Sequence, residues 1–170
     1  MRAESQVASP STGANTLLHL LQERASRTPK QEAATHKKFS KWTHVDWVTI
    51  LDDVRHLSAA LVSRGIQPGD RVAIFADSSL PWCVVDLAIS AARAITVPIY
   101  ASNTPDEVKY VLQHSGAVML FVDHDRSAGK QPGRFARARS VLRECPAVRQ
   151  VITMEEEGTG ADVSMAKLLV

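Results

Sequence analysis

The spacing of hydrophobic positions changes along this chain, and the change marks out its elements. Leu17, Leu18, Leu20, Leu21 and Ala25 recur at helical spacing, and Thr28-Pro29 closes that segment. The polar stretch that follows predicts a short hairpin, Glu32–Lys38 against Lys41–Thr43, turning at Phe39-Ser40. Trp47, Leu51, Val54, Leu57 and Leu61 then form one apolar stripe at spacings of three and four. Thr43, with Asp46 three residues on, reads as the capping pair that opens this helix. Gly65 reads as its stop, because glycine tolerates the left-handed cap conformation.

Beyond Gly65 the pattern alternates between strand and helix. Arg71–Ala76 is an apolar strand. Ser79 caps a helix with Pro81 in its first turn, where no N–H is needed, and that helix runs to about Arg93. Ile95–Tyr100 is rich in β-branched residues. Thr104-Pro105-Asp106-Glu107 is a full capping box whose helix buries Val108, Val111 and Leu112 and stops at Gly116. Val118–Val122 is a continuous apolar strand, Phe135–Glu144 a helix, Val148–Thr153 a further strand, and Ser164 the start of a last helix. Strands apolar on every residue need cover on both sides. The expected fold is therefore α/β, a mostly parallel sheet with helices on both faces and right-handed crossovers. The loops Ser127–Gly133 and Glu155–Gly160 are polar and are expected to be exposed. No internal repeat or domain linker interrupts the alternation.

Composition narrows the class without naming an activity. At 170 residues, with 45% apolar and 22% charged residues, the chain fits one soluble globular domain. A net charge of +2 gives no electrostatic ground for nucleic acid as a partner. Cys83 and Cys145 stand outside any CxxC or metal-ligand spacing, which reads as a reducing, cytoplasmic protein. Cys83 is expected to face the core, which argues against a disulfide and against a reactive thiol. Residues 1–13 are polar and carry no secretory signal; they are expected to form a disordered leader. Asp86, Arg93 and Pro98 divide the apolar stretch Cys83–Tyr100 into runs too short to cross a membrane.

Candidate chemistry is sparse. Neither GxxxxGK[ST] nor GxGxxG occurs, and Gly158-Thr159-Gly160 after an acidic run reads as a surface turn. His114, Asp123, His124 and Asp125 match no metal-ligand spacing, so no metal site and no catalytic residue is assigned. Arg134, Arg137, Arg139 and Arg143, after Lys130, leave two readings. One is an ordinary amphipathic helix with a charged outer face; the other is a membrane-surface or anion-binding face. The loop after the Ile95–Ile99 strand is the remaining candidate. Ligands of open parallel sheets bind beyond the C-terminal strand ends, and Tyr100, Ser102 and Asn103 occupy such a place before a helix N-terminus.

Several segments resemble a known family when taken in order: Gly65–Val72 (GIQPGDRV), Pro81-Trp82, Val97–Tyr100 (VPIY) and Thr104–Glu107 (TPDE). Together they resemble the N-terminal part of the AMP-forming acyl-CoA synthetases, of the long-chain fatty acid–CoA ligase type. The resemblance covers Thr16–Val170 and implies residues 14–170 as an incomplete part of the adenylate-forming N-terminal domain. A glycine is common in the family where Arg93 stands here. The resemblance also implies that the Tyr100, Ser102 and Asn103 loop lines a coenzyme A entrance. Full-length members use ATP, Mg2+ and CoA to join a fatty acid to the thiol. The segments that hold ATP and the acyl adenylate in the family have no counterpart in this sequence. The chain alone is thus expected to need no cofactor, to be inactive, and to have the remainder of such an enzyme as partner, with peripheral membrane contact left open. The apolar run Met165–Val170 is expected to begin a helix that continues. Two rivals stand beside this reading. One is a free-standing α/β binding or interaction module. The other is a phosphoacceptor-like doubly wound domain using Asp77 or Asp123.

Overall fold

In a computed structural model of the chain, the residues described are 16–38, 41–123, 132–154 and 163–169. The 1–13 leader, the Phe39-Ser40 turn, His124, Asp125, most of the 127–133 loop, the 155–160 loop and Val170 lie outside them.

Helix α1, Leu17–Arg27, starts where the Thr16 hydroxyl accepts from the His19 N–H. The antiparallel hairpin forms as expected from β1, Glu32–Lys38, and β2, Lys41–Asp46. The second strand is longer than the sequence suggested. It absorbs Thr43, so Thr43 does not cap the next helix. Asp46 does, its carboxylate accepting from the Thr49 N–H at 2.9 Å. The sequence put the cap three residues early, at Thr43 instead of Asp46, because Thr43 is extended in the ladder opposite His36. Helix α2 runs Trp47–Ser63 and ends in a paired backbone cap. The Gly65 N–H reaches the Val62 carbonyl, the Ile66 N–H reaches the Leu61 carbonyl, and Gly65 sits at φ +86°.

The main sheet is parallel throughout. Its strands are β3 (Arg71–Phe75), β4 (Ile95–Ile99), β5 (Met119–Val122), β6 (Gln150–Thr153) and β7 (Val163–Ser164), in the spatial order β4-β3-β5-β6-β7. The chain therefore starts in the sheet at β3, steps outward to β4, and returns past β3 to build the other side. Two cores follow from the alternation of side chains along the strands. Val72, Ile74, Met119, Phe121 and Ile152 face α1, α2 and α3 (Leu80–Ala91). Ala73, Phe75, Leu120, Val122 and Val151 face α4 (Pro105–Ser115) and α5 (Arg134–Val141). Pro98 lies in β4, an edge strand, where a missing N–H is tolerated.

Local capping chemistry explains most helix boundaries. The Ser79 hydroxyl accepts from the Trp82 N–H, and Thr104 and Glu107 exchange both bonds of the capping box. Asp86, the charge inside the apolar α3, accepts from the Thr96 hydroxyl of β4 at 2.7 Å. The Arg71 guanidinium donates to the last carbonyls of α4, Ser115 and Gly116, at 2.8 and 3.2 Å.

Two more expectations need correction. Ser164 does not start a helix: it closes the short strand β7, and only a 3₁₀ turn, Met165–Leu168, follows. Cys83 is exposed rather than core-facing. The buried stripe of α3 is Val84, Val85, Ala88 and Ile89, and Cys83 falls on the side shared with the exposed Ser90. Cys145 is buried in the α4–α5 core, on the other face of the sheet from α3, so the two thiols lie in different layers. Burial, ahead of the nearby Glu144 charge, pushes the Cys145 thiol pKa up.

Helix α3 ends at Ala91, and Arg93 takes the left-handed conformation at φ +61°. The Ala94 N–H reaches the Ile89 carbonyl and the Arg93 N–H that of Ser90, the same paired cap that Gly65 makes for α2. Arg93 is exposed, so its side chain offsets none of the conformational cost. Arg93→Gly should therefore raise the unfolding free energy by about 0.5–1 kcal/mol, the left-handed penalty less glycine's added unfolded-state entropy. A denaturant titration showing an unchanged or lower midpoint would contradict this. A thiol titration checks the layer assignment: one thiol per chain should react in the native protein and the second only on unfolding.

Candidate functional site

The strand order creates a crevice. β3 leads into α3 on one face and β5 leads toward α5 on the other, so the segments leaving these neighbouring strands diverge at their C-terminal ends. In open α/β sheets this switch point is the usual place for a ligand. Here the place is filled by the protein itself. Asp77, two residues past β3, and Asp123, just past β5, both take hydrogen bonds from Arg134 at the start of α5. The Arg134 terminal nitrogen is 2.6 Å from the Asp77 carboxylate and 3.0 Å from that of Asp123, and its Nε also donates to Asp123. Asp123 further accepts from the Asp77 backbone N–H at 3.0 Å. The Arg134 side chain is 8% exposed and that of Asp123 17%.

One turn further along α5, Arg137 is 4% exposed. Its two terminal nitrogens donate to the carbonyls of Asn103 and Ala101, at 2.5 and 2.9 Å. The guanidinium lies over the Phe75 ring, 5.2 Å from its centroid. These carbonyls belong to the β4–α4 loop, which the Asn103 N–H closes into a turn by reaching the Tyr100 carbonyl at 2.9 Å.

The outer-face reading of the basic helix is thus corrected for two of its arginines. Arg134 and Arg137 are buried, while Arg139 and Arg143 are exposed. The buried stripe of α5 is Arg134, Phe135, Arg137, Ala138 and Val141, so both arginines share the apolar face. Their charges are met by carboxylates in one case and by carbonyl dipoles and an aromatic face in the other.

The residues singled out from the sequence sit around this anchor. Tyr100 is 81% exposed, Ser102 is exposed and Asn103 half-buried. The α4 N-terminus beside them is already engaged: the Thr104 N–H goes to the Glu107 carboxylate, and Asp106 adds a second acidic side chain to the first turn. The local field at that terminus suits a neutral polar group better than a phosphate. His114 is not joined to Asp123; it stacks on Tyr110 at the other end of α4. Among the described residues no group of three or more His, Cys, Asp or Glu is placed to hold a metal ion. No helix among them is long and apolar enough to cross a membrane.

The fold is a doubly wound α/β domain, and comparison with known proteins specifies its family. The model of the family described as AMP-binding enzyme matches residues 21–167, and the chain belongs to that family. A long-chain-fatty-acid–CoA ligase of Mycobacterium bovis is 35% identical over 120 residues, which cover 71% of this chain and 19% of that protein. The ligase of the same description from Mycobacterium tuberculosis is 34% identical over 120 residues, again 71% of this chain and 19% of the other. A solved anthranilate CoA ligase in complex with anthranoyl-AMP has a TM-score of 0.77 at 16% identity, covering 89% of this chain and 27% of its own; that likeness concerns the fold alone. The chain spans about a fifth of the length of the curated relatives it matches.

Replacing Arg134 leaves Asp123 mostly buried without its counter-charge. Arg134→Ala should cost about 3 kcal/mol of stability, the lower end for breaking a buried pair. The double variant Arg134→Ala with Asp123→Asn should recover part of that loss, as coupled partners do. Additive losses in a double-mutant cycle would show that the two side chains do not act together.

Proposed function

We propose that this chain is the N-terminal portion of an AMP-forming long-chain fatty acid–CoA ligase and supplies structure rather than reacting groups. The observation that carries the reading is the 35% identity to a long-chain-fatty-acid–CoA ligase over 71% of the chain. In this reading the whole enzyme uses ATP, Mg2+ and CoA on a fatty acid substrate in the cytoplasm, and the partner of this chain is the remainder of that enzyme.

The described residues do not fit Mg2+-ATP. The two carboxylates at the switch point are tied to Arg134, and Asp106 and Glu107 would repel a triphosphate at the α4 terminus. Adenylation requires positive charge or metal arranged around the reacting phosphate, so no step of it is assigned to these residues. CoA fits differently. Tyr100 and Ser102 offer an exposed ring and a hydroxyl, while Asn103 shapes the turn beneath them. That surface suits the neutral amide arm of the thiol cofactor and not its phosphates.

Two experiments test the proposal. ATP–pyrophosphate exchange with saturated fatty acids of several lengths should give no signal from the purified chain, and turnover by the chain alone would overturn the scaffold role. A chimera in which this chain replaces the matching segment of the Mycobacterium bovis ligase should still form fatty acyl-CoA. A chimera that folds yet forms none would count against the assignment.

A further inference from the structure

We propose that Arg137 is a positioning residue that sets the conformation of the β4–α4 turn and thereby the presentation of Tyr100 and Ser102. This deepens the assignment above and rests on it only for the identity of the ligand. The turn has no sheet partner of its own, since β4 ends at Ile99 and α4 begins at Pro105. Among the described residues, the side chain that reaches it from below is Arg137. Arg137 lies 36 and 34 residues away from Ala101 and Asn103, and its two planar arms take the carbonyls of both. The carbonyls point into the protein, and Tyr100 and Ser102 are left exposed.

The geometry depends on the shape of the guanidinium. A planar fork bridges two carbonyls set two residues apart while its face rests on the Phe75 ring. Burial adds to the effect: a charged donor that is 4% exposed has few alternatives to those carbonyls, and a carbonyl bonded to a charged donor is held more firmly than one bonded to water. Two backbone N–H groups report on the turn. The Asn103 N–H is bonded to the Tyr100 carbonyl, and the Thr104 N–H to Glu107.

The test is amide hydrogen exchange on the purified chain. Arg137→Ala should speed exchange at Asn103 and Thr104 by about tenfold or more, as loss of two charge-assisted bonds implies, with β3 and β5 unchanged. Arg137→Lys keeps a cationic donor but loses the fork, and should give a smaller rise confined to the same amides. Should the alanine variant fail to fold, the lysine variant decides the matter. Exchange in the turn that matches wild type, or a rise spread equally across the sheet, overturns the positioning role. Calorimetric titration with coenzyme A then separates the two claims. Wild type that binds CoA, with an alanine variant weakened about tenfold and a lysine variant in between, supports both. A local exchange effect with no CoA binding by wild type overturns the ligand assigned to the loop and leaves the positioning role standing.

Discussion

A parallel strand that is apolar on every residue has to be covered twice, and that constraint organises the rest of the molecule. β3 and β5 alternate their side chains between two cores and leave neither face free for solvent. Helices must then come from both sides, and the chain changes faces between α3 and α4 as it builds the sheet. The change happens between β4 and β5, with β3 at the middle. The consequence is a crevice at the C-terminal ends of β3 and β5, lined by whatever polar residues follow those strands. In this chain they are Asp77 and Asp123, and two aspartates at the end of a hydrophobic sheet need a cation. α5 brings one with its first residue.

α5 is thus more than cover for the second core. It is short, and two of its buried side chains are arginines. Burying a guanidinium is costly unless its donors are used, so each position on the helix is fixed by what the arginine meets. Arg134 ties the ends of β3 and β5 to each other, and Arg137 ties the loop beyond β4 to Phe75 of β3. Three neighbouring strand ends are held by one helix of eight residues. That is a rigid platform at the edge where the sheet would meet a ligand.

How much of this the sequence disclosed depends on how local the cause was. The caps at Ser79 and Thr104 were legible because donor and acceptor lie three residues apart. The parallel sheet was legible from unbroken apolar runs between helices. The cap at Asp46 was misplaced because strand pairing with β1 extended β2, a tertiary effect that overrode a plausible local motif. Cys83 was misread because an apolar helix was treated as buried all round, whereas its stripe is set by Val84, Val85, Ala88 and Ile89. The arginine anchors were missed because their partners are 11 to 57 residues away. A signal was available all the same. Arg134, Ala138 and Val141 stand at i, i+4 and i+7, which puts Arg134 on the apolar face of α5 and asks for a partner there. The positive φ at Arg93 was foreshadowed only by the family resemblance, which carries glycine at that position.

The two arginines also limit what chemistry this part of the molecule can perform. Among the described residues, the Arg134 charge at the switch point faces two carboxylates, so that guanidinium is engaged by the protein's own side chains. The capping box at α4 does the same at the neighbouring helix terminus, where Glu107 occupies the position an anion would take. Among the described residues, acidic side chains thus occupy both places where a doubly wound sheet normally attracts a nucleotide phosphate. A doubly wound fold can thus carry a well-made switch point whose described side chains are engaged with one another.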